Sequence, residues 1–442
     1  MTDLKTVIIG AGITGLALGR LLPESVIYEK STFIGGFSRT IHYQGFHFDV
    51  GLHSLPELEP EVQEFLNPFL QDVLTLPHAE TKIAFVKNGG LSKGAPHPLN
   101  FNFNNDPLLA LGLRASYYFR RIFPRKVHRQ RDHSINLHGD LYHSLFTRNF
   151  IEKWHGISDQ ETFFPKLPES SQEPFIPRLI RWLLRKGKRP PQKPREISYP
   201  FPWFGAMVDK LSEGLPIRLS SELTRILFSG KRAVGIEINQ RENIPCNRLI
   251  LTSPPNFLIH LFNPPKEIAR IVPSIRYRDL MYVVLFFEKD YLMERPLIIT
   301  FGKEIFARAV EPKRWNKALS PEGKTSICFE IPCFQGDPLW RLSDEEVKRK
   351  VFEDFTQSHP APEPFDGLVY RIPRVWPIYD SSFEPNLKTV YAFMSQFENI
   401  HFPSFALSRY GSSVSLSIQA ALGIARTIQP LSSELNSQIL EN

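Results

Sequence analysis

The residues best placed to do chemistry lie near the start of the chain, where Gly10-Ala11-Gly12-Ile13-Thr14-Gly15 follows the apolar run Val7-Ile8-Ile9 and precedes a helical stretch, Leu16 to Leu22. That order suits the binding of a diphosphate. Gly10 permits a tight turn, Gly12 lets the backbone approach a pyrophosphate, and Gly15 lets the helix pack closely on the strand. The helix N-terminus then offers free amides to the phosphates. A second apolar strand, Val26-Ile27-Tyr28, ends in Glu29 and Lys30. Glu29 lies close to the spacing of about 20 residues expected of a carboxylate that binds ribose hydroxyls. The same carboxylate would repel a 2′-phosphate. The plainer alternative is a structural glycine turn with a solvated Glu29.

Positioning these residues requires a parallel strand, turn and helix unit, and the rest of the chain has the means to complete it. Ile217 to Leu219, Leu223 to Phe228 and Val234 to Ile238 read as short alternating strands separated by turns such as Ser229-Gly230-Lys231. At 442 residues and 42% hydrophobic content, the chain is long and apolar enough for roughly two or three cooperating domains. The longest apolar run, Leu280 to Phe287, is far short of the roughly 20 residues a membrane-spanning helix needs. The first twenty-two residues could pass for a signal peptide, but their glycine pattern is better explained as folded protein. Cys246, Cys328 and Cys333 form neither a disulfide framework nor a zinc pattern, so a reducing compartment, the cytoplasm, is expected and no metal.

Two further stretches extend the site. Ile34-Gly35-Gly36-Phe37-Ser38-Arg39-Thr40, then Gly45 to Asp49, Val50, Gly51, Leu52 and His53, resemble the second glycine pair and following strand of an FAD family. That family contains amine oxidases, protoporphyrinogen oxidases, carotenoid desaturases and UDP-galactopyranose mutases. Tyr199-Pro200 with Gly205 to Leu211, Arg248 to Pro255, Phe405 to Gly411 and the helical Ser417 to Ile428 continue the resemblance in order. Pro98 to Phe101 and Gly139 to Gly156 resemble the helical insertion of its oxidase-like and mutase-like branches, and Phe306 to Glu311 with Thr325 to Glu330 resemble substrate-domain strands. Phe37 stands where many amine oxidases carry Arg, and Ser408-Arg409 replaces the usual Gly-Arg.

The resemblance implies an α/β fold with a Rossmann-type FAD-binding domain built from residues 1–80, 196–268 and 385–432. It adds a mixed-sheet substrate domain at 81–100 and 269–384 and a helical insertion at 101–195. FAD is the implied cofactor. Besides the residues above, Leu223, Ser408, Arg409, Ser417 and Ile418 are implied at its site, with the last helix directing its N-terminal amides at the flavin. His53 falls on the loop that lies beside the isoalloxazine in the resembled family, where it could orient substrate or exchange a proton near neutral pH; a structural hydrogen-bonding role is the alternative. Arg308 could face the substrate and hold an anionic group. It could equally pair with Glu311, which would share its face on a helix but not on a strand. Trp376 to Tyr379 could line the cavity or belong to the core.

The formal charge of +7 is concentrated in Arg114 to Arg131 and Arg178 to Arg195. Attachment to an anionic membrane, steering of an acidic substrate and a solvated helix face are all open for these segments. No recognition module for nucleic acid accompanies the charge. The expected function is a FAD-dependent oxidoreductase that removes hydride from a C–H or C–N bond of a small molecule. Its rivals are a flavin-dependent mutase without net oxidation and a flavin-binding protein that associates with a membrane or partner without turnover.

Overall fold

The computed structural model describes residues 6–51, 53, 55, 58–70, 73–77, 83–87, 90–93, 107–163, 196–403 and 413–428. Its first strand, Thr6–Ile9, is flanked by parallel neighbours on both sides, in the order Ile400–His401, Arg248–Leu251, Thr6–Ile9, Ser25–Tyr28, Ile217–Arg218. Alternation decides what each residue touches. Ile8, Ile27 and Ile250 face one way, onto the helices Ile13–Leu21, Phe204–Ser212 and Val414–Ile428. Val7, Ile9, Leu249 and Leu251 face the other way, onto a meander of Leu223–Ser229, Arg232–Ile238 and Glu242–Pro245 and the helix Phe383–Met394. Burial on both faces explains why the strands read as continuous apolar runs. The first helix starts at Ile13, three residues before the expected stretch, because the Gly12 carbonyl already accepts the Leu16 amide at 3.0 Å.

A second, seven-stranded sheet runs Asp366–Pro377, Tyr277–Phe287, Thr325–Cys333, Arg308–Val310, Leu297–Thr300, Ile83–Lys87, Gly90–Lys93. The apolar run noted in the sequence is the core of its strand Tyr277–Phe287. Met281, Val283, Leu285 and Phe287 pack on the helix Asp344–Thr356, whose Ser343 cap and Glu346 form a capping box. Leu280, Tyr282, Val284 and Phe286 face the hairpin Thr40–Tyr43 with Phe46–Asp49. Helices over Pro107–Ile122, Gln130–His138 and Arg148–His155 lie where the helical insertion is expected and pack on the sheet through Leu113, Tyr142, Phe146 and Phe301. Within the described residues no helix is long and apolar enough to cross a membrane, no group of side chains suits a metal ion, and all three cysteines are buried and free.

Candidate functional site

Two glycine turns meet at the end of the first strand. Gly10 takes φ +102° and donates its amide to the Tyr28 carbonyl at 2.8 Å, closing the strand into the turn. A Cβ at Gly15 would lie 1.9 Å from the Gly10 carbonyl oxygen, so only glycine lets the helix start this close. Gly12 is different: a Cβ there would meet nothing within 4 Å, because it borders open space. Gly12 is the helix N-cap and supplies no side-chain acceptor, so the first-turn amides of Ile13 and Thr14 have no cap. The Gly35 amide donates to the Ala11 carbonyl at 2.8 Å, Ser38 donates to Gly35 at 2.9 Å, and a Cβ at Gly36 would lie 3.7 Å from Gly12 Cα. The opening between the turns is thus bare backbone and suits a diphosphate.

Glu29 sits at the end of the second strand, beside this opening. Its Oε2 accepts the Ala11 amide and its Oε1 the Ser31 amide, each at 2.8 Å. Each carboxylate oxygen keeps acceptor capacity for a hydroxyl. Lys30 is exposed beside it, and Leu223 is buried at the start of the meander.

The Asp49 to His53 loop carries the opening onward. Asp49 is buried; Thr40 donates to its Oδ1, Tyr199 donates to its Oδ2 at 2.6 Å, and Tyr282 donates to its carbonyl at 2.7 Å. Burial raises the Asp49 carboxyl, while His53 and the hydrogen bonds from Thr40 and Tyr199 oppose that shift. His53 Nε2 lies 2.7 Å from the Phe37 carbonyl and 3.0 Å from that of Val50, and its ring stacks on Phe204 at 5.0 Å. The proton on Nε2 therefore clamps the second glycine turn to this loop.

Register places a polar row on the sheet face that meets the loop. Tyr370 pairs with Tyr282, Tyr282 with Glu330, and Glu330 with Arg308. Glu330 Oε1 lies 3.6 Å from where a Cβ on Gly51 would stand. Of the two readings of Arg308, the one that pairs it with Glu311 is not what the fold adopts. Arg308 lies on a strand and bonds Glu330, whereas Glu311 points away to the Leu292 and Met293 amides, Thr325 and Arg314. The Arg308 guanidinium also covers the Trp154 ring at 4.5 Å, and Trp154 meets Trp376 at 4.4 Å. Helical insertion and sheet thus share one aromatic wall, with Trp154 and Trp376 each partly exposed.

Ser417 and Ile418 are buried in the last helix, where the Ser417 amide is taken by the Ser413 carbonyl at 2.9 Å. Its first-turn amides are those of Val414 and Ser415, since Leu416 donates to Ser413 Oγ at 3.1 Å. Leu52, Ser408, Arg409, the Pro98 to Phe101 stretch and the Arg178 to Arg195 segment lie outside the described residues. The sequence reading did not single out Glu330, Tyr282, Tyr370 or Trp154. The available signal was a carboxylate in a strand, Thr325–Cys333, whose nine residues are all buried.

Residues 13–399 match the family described as Flavin containing amine oxidoreductase. A stretch of 60 residues is 42% identical to the all-trans-retinol 13,14-reductase of Danio rerio, covering 13% of this chain and 10% of that protein. Among solved structures, a reduced UDP-galactopyranose mutase superposes with a TM-score of 0.79 at 18% identity, over 98% of this chain and 97% of its own. A protein assigned as protoporphyrinogen oxidase from an Exiguobacterium species gives 0.75 at 15% identity, over 97% and 99%. A redesigned putrescine oxidase gives 0.63 at 14%, over 97% and 100%. At these identities the structural likeness is one of fold.

Proposed function

The chain belongs to the flavin containing amine oxidoreductase family, and on that premise we propose that it is a FAD-dependent oxidoreductase acting on a C–H or C–N bond of a small molecule. The observation that carries this is the convergence of the two glycine turns, with Gly12 open, Gly36 against it and Glu29 alongside, continuous with the Gly51 loop and the polar row. When bound, FAD supplies the hydride chemistry. The uncapped amides after Gly12 hold the diphosphate, and Glu29 receives the ribose hydroxyls. His53 holds the loop at its distance from the second glycine turn. Tyr370, Arg308, Trp154 and Trp376 orient the substrate, and the buried Glu330 holds Arg308 in place. Glu330 already balances the Arg308 charge, so this wall offers hydrogen bonds and aromatic faces more than net charge.

The test is a metabolite panel incubated with the FAD-loaded protein and a soluble dye as electron acceptor. The proposal expects dye reduction together with a product lighter by two hydrogens. A product of unchanged mass, formed only by pre-reduced protein, would assign mutase chemistry instead.

A further inference from the structure

The helix Pro107–Ile122 presents its apolar side outward. Its inner face is small: Ala110 and Leu113 are buried, and Leu113 joins the cluster of Tyr142, Phe146 and Phe301. Its outer face exposes Leu108 (82%), Leu111 (63%), Tyr118 (53%), Phe119 (50%) and Ile122 (52%), with Phe123 (59%) just beyond its end. These are six of the twelve large hydrophobic residues exposed among those described. At about 100° per residue they fall within one sector of about 140°, opposite Leu113. Isolated exposed apolar side chains need no explanation, but a continuous stripe does.

Charge identifies what the stripe fits. From Pro107 to Arg131 the chain has seven Arg and Lys residues and no Asp or Glu. Arg121 runs beside the stripe, and Lys126 and Arg129 are exposed just past it. Acidic partners offset only part of this charge: Asp140 pairs with Arg120 and Arg125, and Asp159 with Arg131. A second copy of the chain would bring like charge against like charge. An anionic bilayer surface supplies both complements, headgroups for the basic residues and acyl chains for the stripe. We propose that this face docks the protein on anionic phospholipid membranes, with the helix lying in the plane of the interface. The inference does not rest on the flavin chemistry.

The experiment is co-sedimentation of the full FAD-loaded chain with vesicles of phosphatidylcholine alone, or with about a third phosphatidylserine. Binding to the anionic vesicles should be about tenfold or more tighter, and should weaken as salt rises. Leu111→Glu with Phe119→Glu should lower it by about 100-fold. Arg121→Gln with Lys126→Gln should cost about 30-fold on anionic vesicles alone. All four positions lie away from the glycine turns, so an unchanged FAD spectrum checks folding. Equal binding to both vesicles, no binding, or no effect of the glutamate pair would overturn the proposal. So would a dimer in sedimentation velocity that the glutamate pair dissolves while vesicles are ignored, which would give the face to a second copy.

Discussion

Gly12 and Gly15 stand three residues apart and answer to different constraints, which makes them separable. Gly15→Ala must push a methyl group into the Gly10 carbonyl, an overpacking that costs about 1–3 kcal/mol or more because backbone cannot yield cheaply. Gly12→Ala meets no protein atom, so the FAD-free protein should melt nearly unchanged while its affinity for FAD falls. Thermal melts and FAD titrations of both variants check this; equal loss of stability in the two would contradict it. Glu29→Gln should weaken FAD by about 10- to 100-fold, the worth of a charge-assisted hydrogen bond, as read by fluorescence titration. Arg308→Ala removes an ion-pair partner from the buried Glu330 carboxylate and should cost about 3–5 kcal/mol of stability in denaturant unfolding. A loss confined to substrate binding, with unfolding unchanged, would restore the simpler picture of Arg308 as a free anion clamp. Glu29 was legible because its spacing from a glycine turn is a local pattern. Glu330 was not, because its meaning depends on which strand lies beside it.

At the scale of elements, the strand and helix around the first glycine turn were legible from the change in hydrophobic period, as were the meander strands Leu223–Ser229 and Arg232–Ile238, whereas Arg248–Leu251 was readable through the family resemblance and Glu242–Pro245 was not read. Helix starts were less so, since Gly12 caps through its backbone and leaves no side-chain signature at Ile13. The join between the helix Arg148–His155 and the sheet was invisible in sequence, and it contains a testable charge. Lys153 Nζ donates to Thr300 Oγ1 at 2.9 Å and to the Phe306 carbonyl at 3.3 Å. Burial lowers its pKa from 10.5 to about 8, with Glu304 and Asp354 acting in the opposite sense. A lysine that binds its proton less tightly when folded imposes its full penalty below the folded value. That penalty is relieved as pH rises from about 8 to about 10.5, where the unfolded chain holds more protons. Relative to Lys153→Gln, the wild-type protein should therefore gain up to about 3 kcal/mol across that window. Paired melts across the window check this, and a constant difference between the two proteins would count against it.

At the scale of the whole molecule, the parallel sheet is assembled from distant segments, with Thr6 beside Arg248 and Leu249 beside Ile400. Periodicity announces that such strands exist but not which neighbour each will choose, so the architecture was readable only through the ordered resemblance to a known family. The wall proposed to meet the substrate is a product of that assembly. Trp154 comes from the helical insertion, Arg308 and Glu330 from adjacent strands, and Trp376 from the strand beyond Tyr277–Phe287. The central claim, that this assembly performs net oxidation with FAD, is tested most directly by the flavin absorbance of oxidised, FAD-loaded protein after anaerobic mixing with a substrate found in the panel. The account predicts bleaching of the oxidised flavin band in a single turnover, because electrons taken from the substrate have no other acceptor. An unchanged oxidised spectrum, with the substrate converted only by protein reduced beforehand and no net electron transfer, would contradict it.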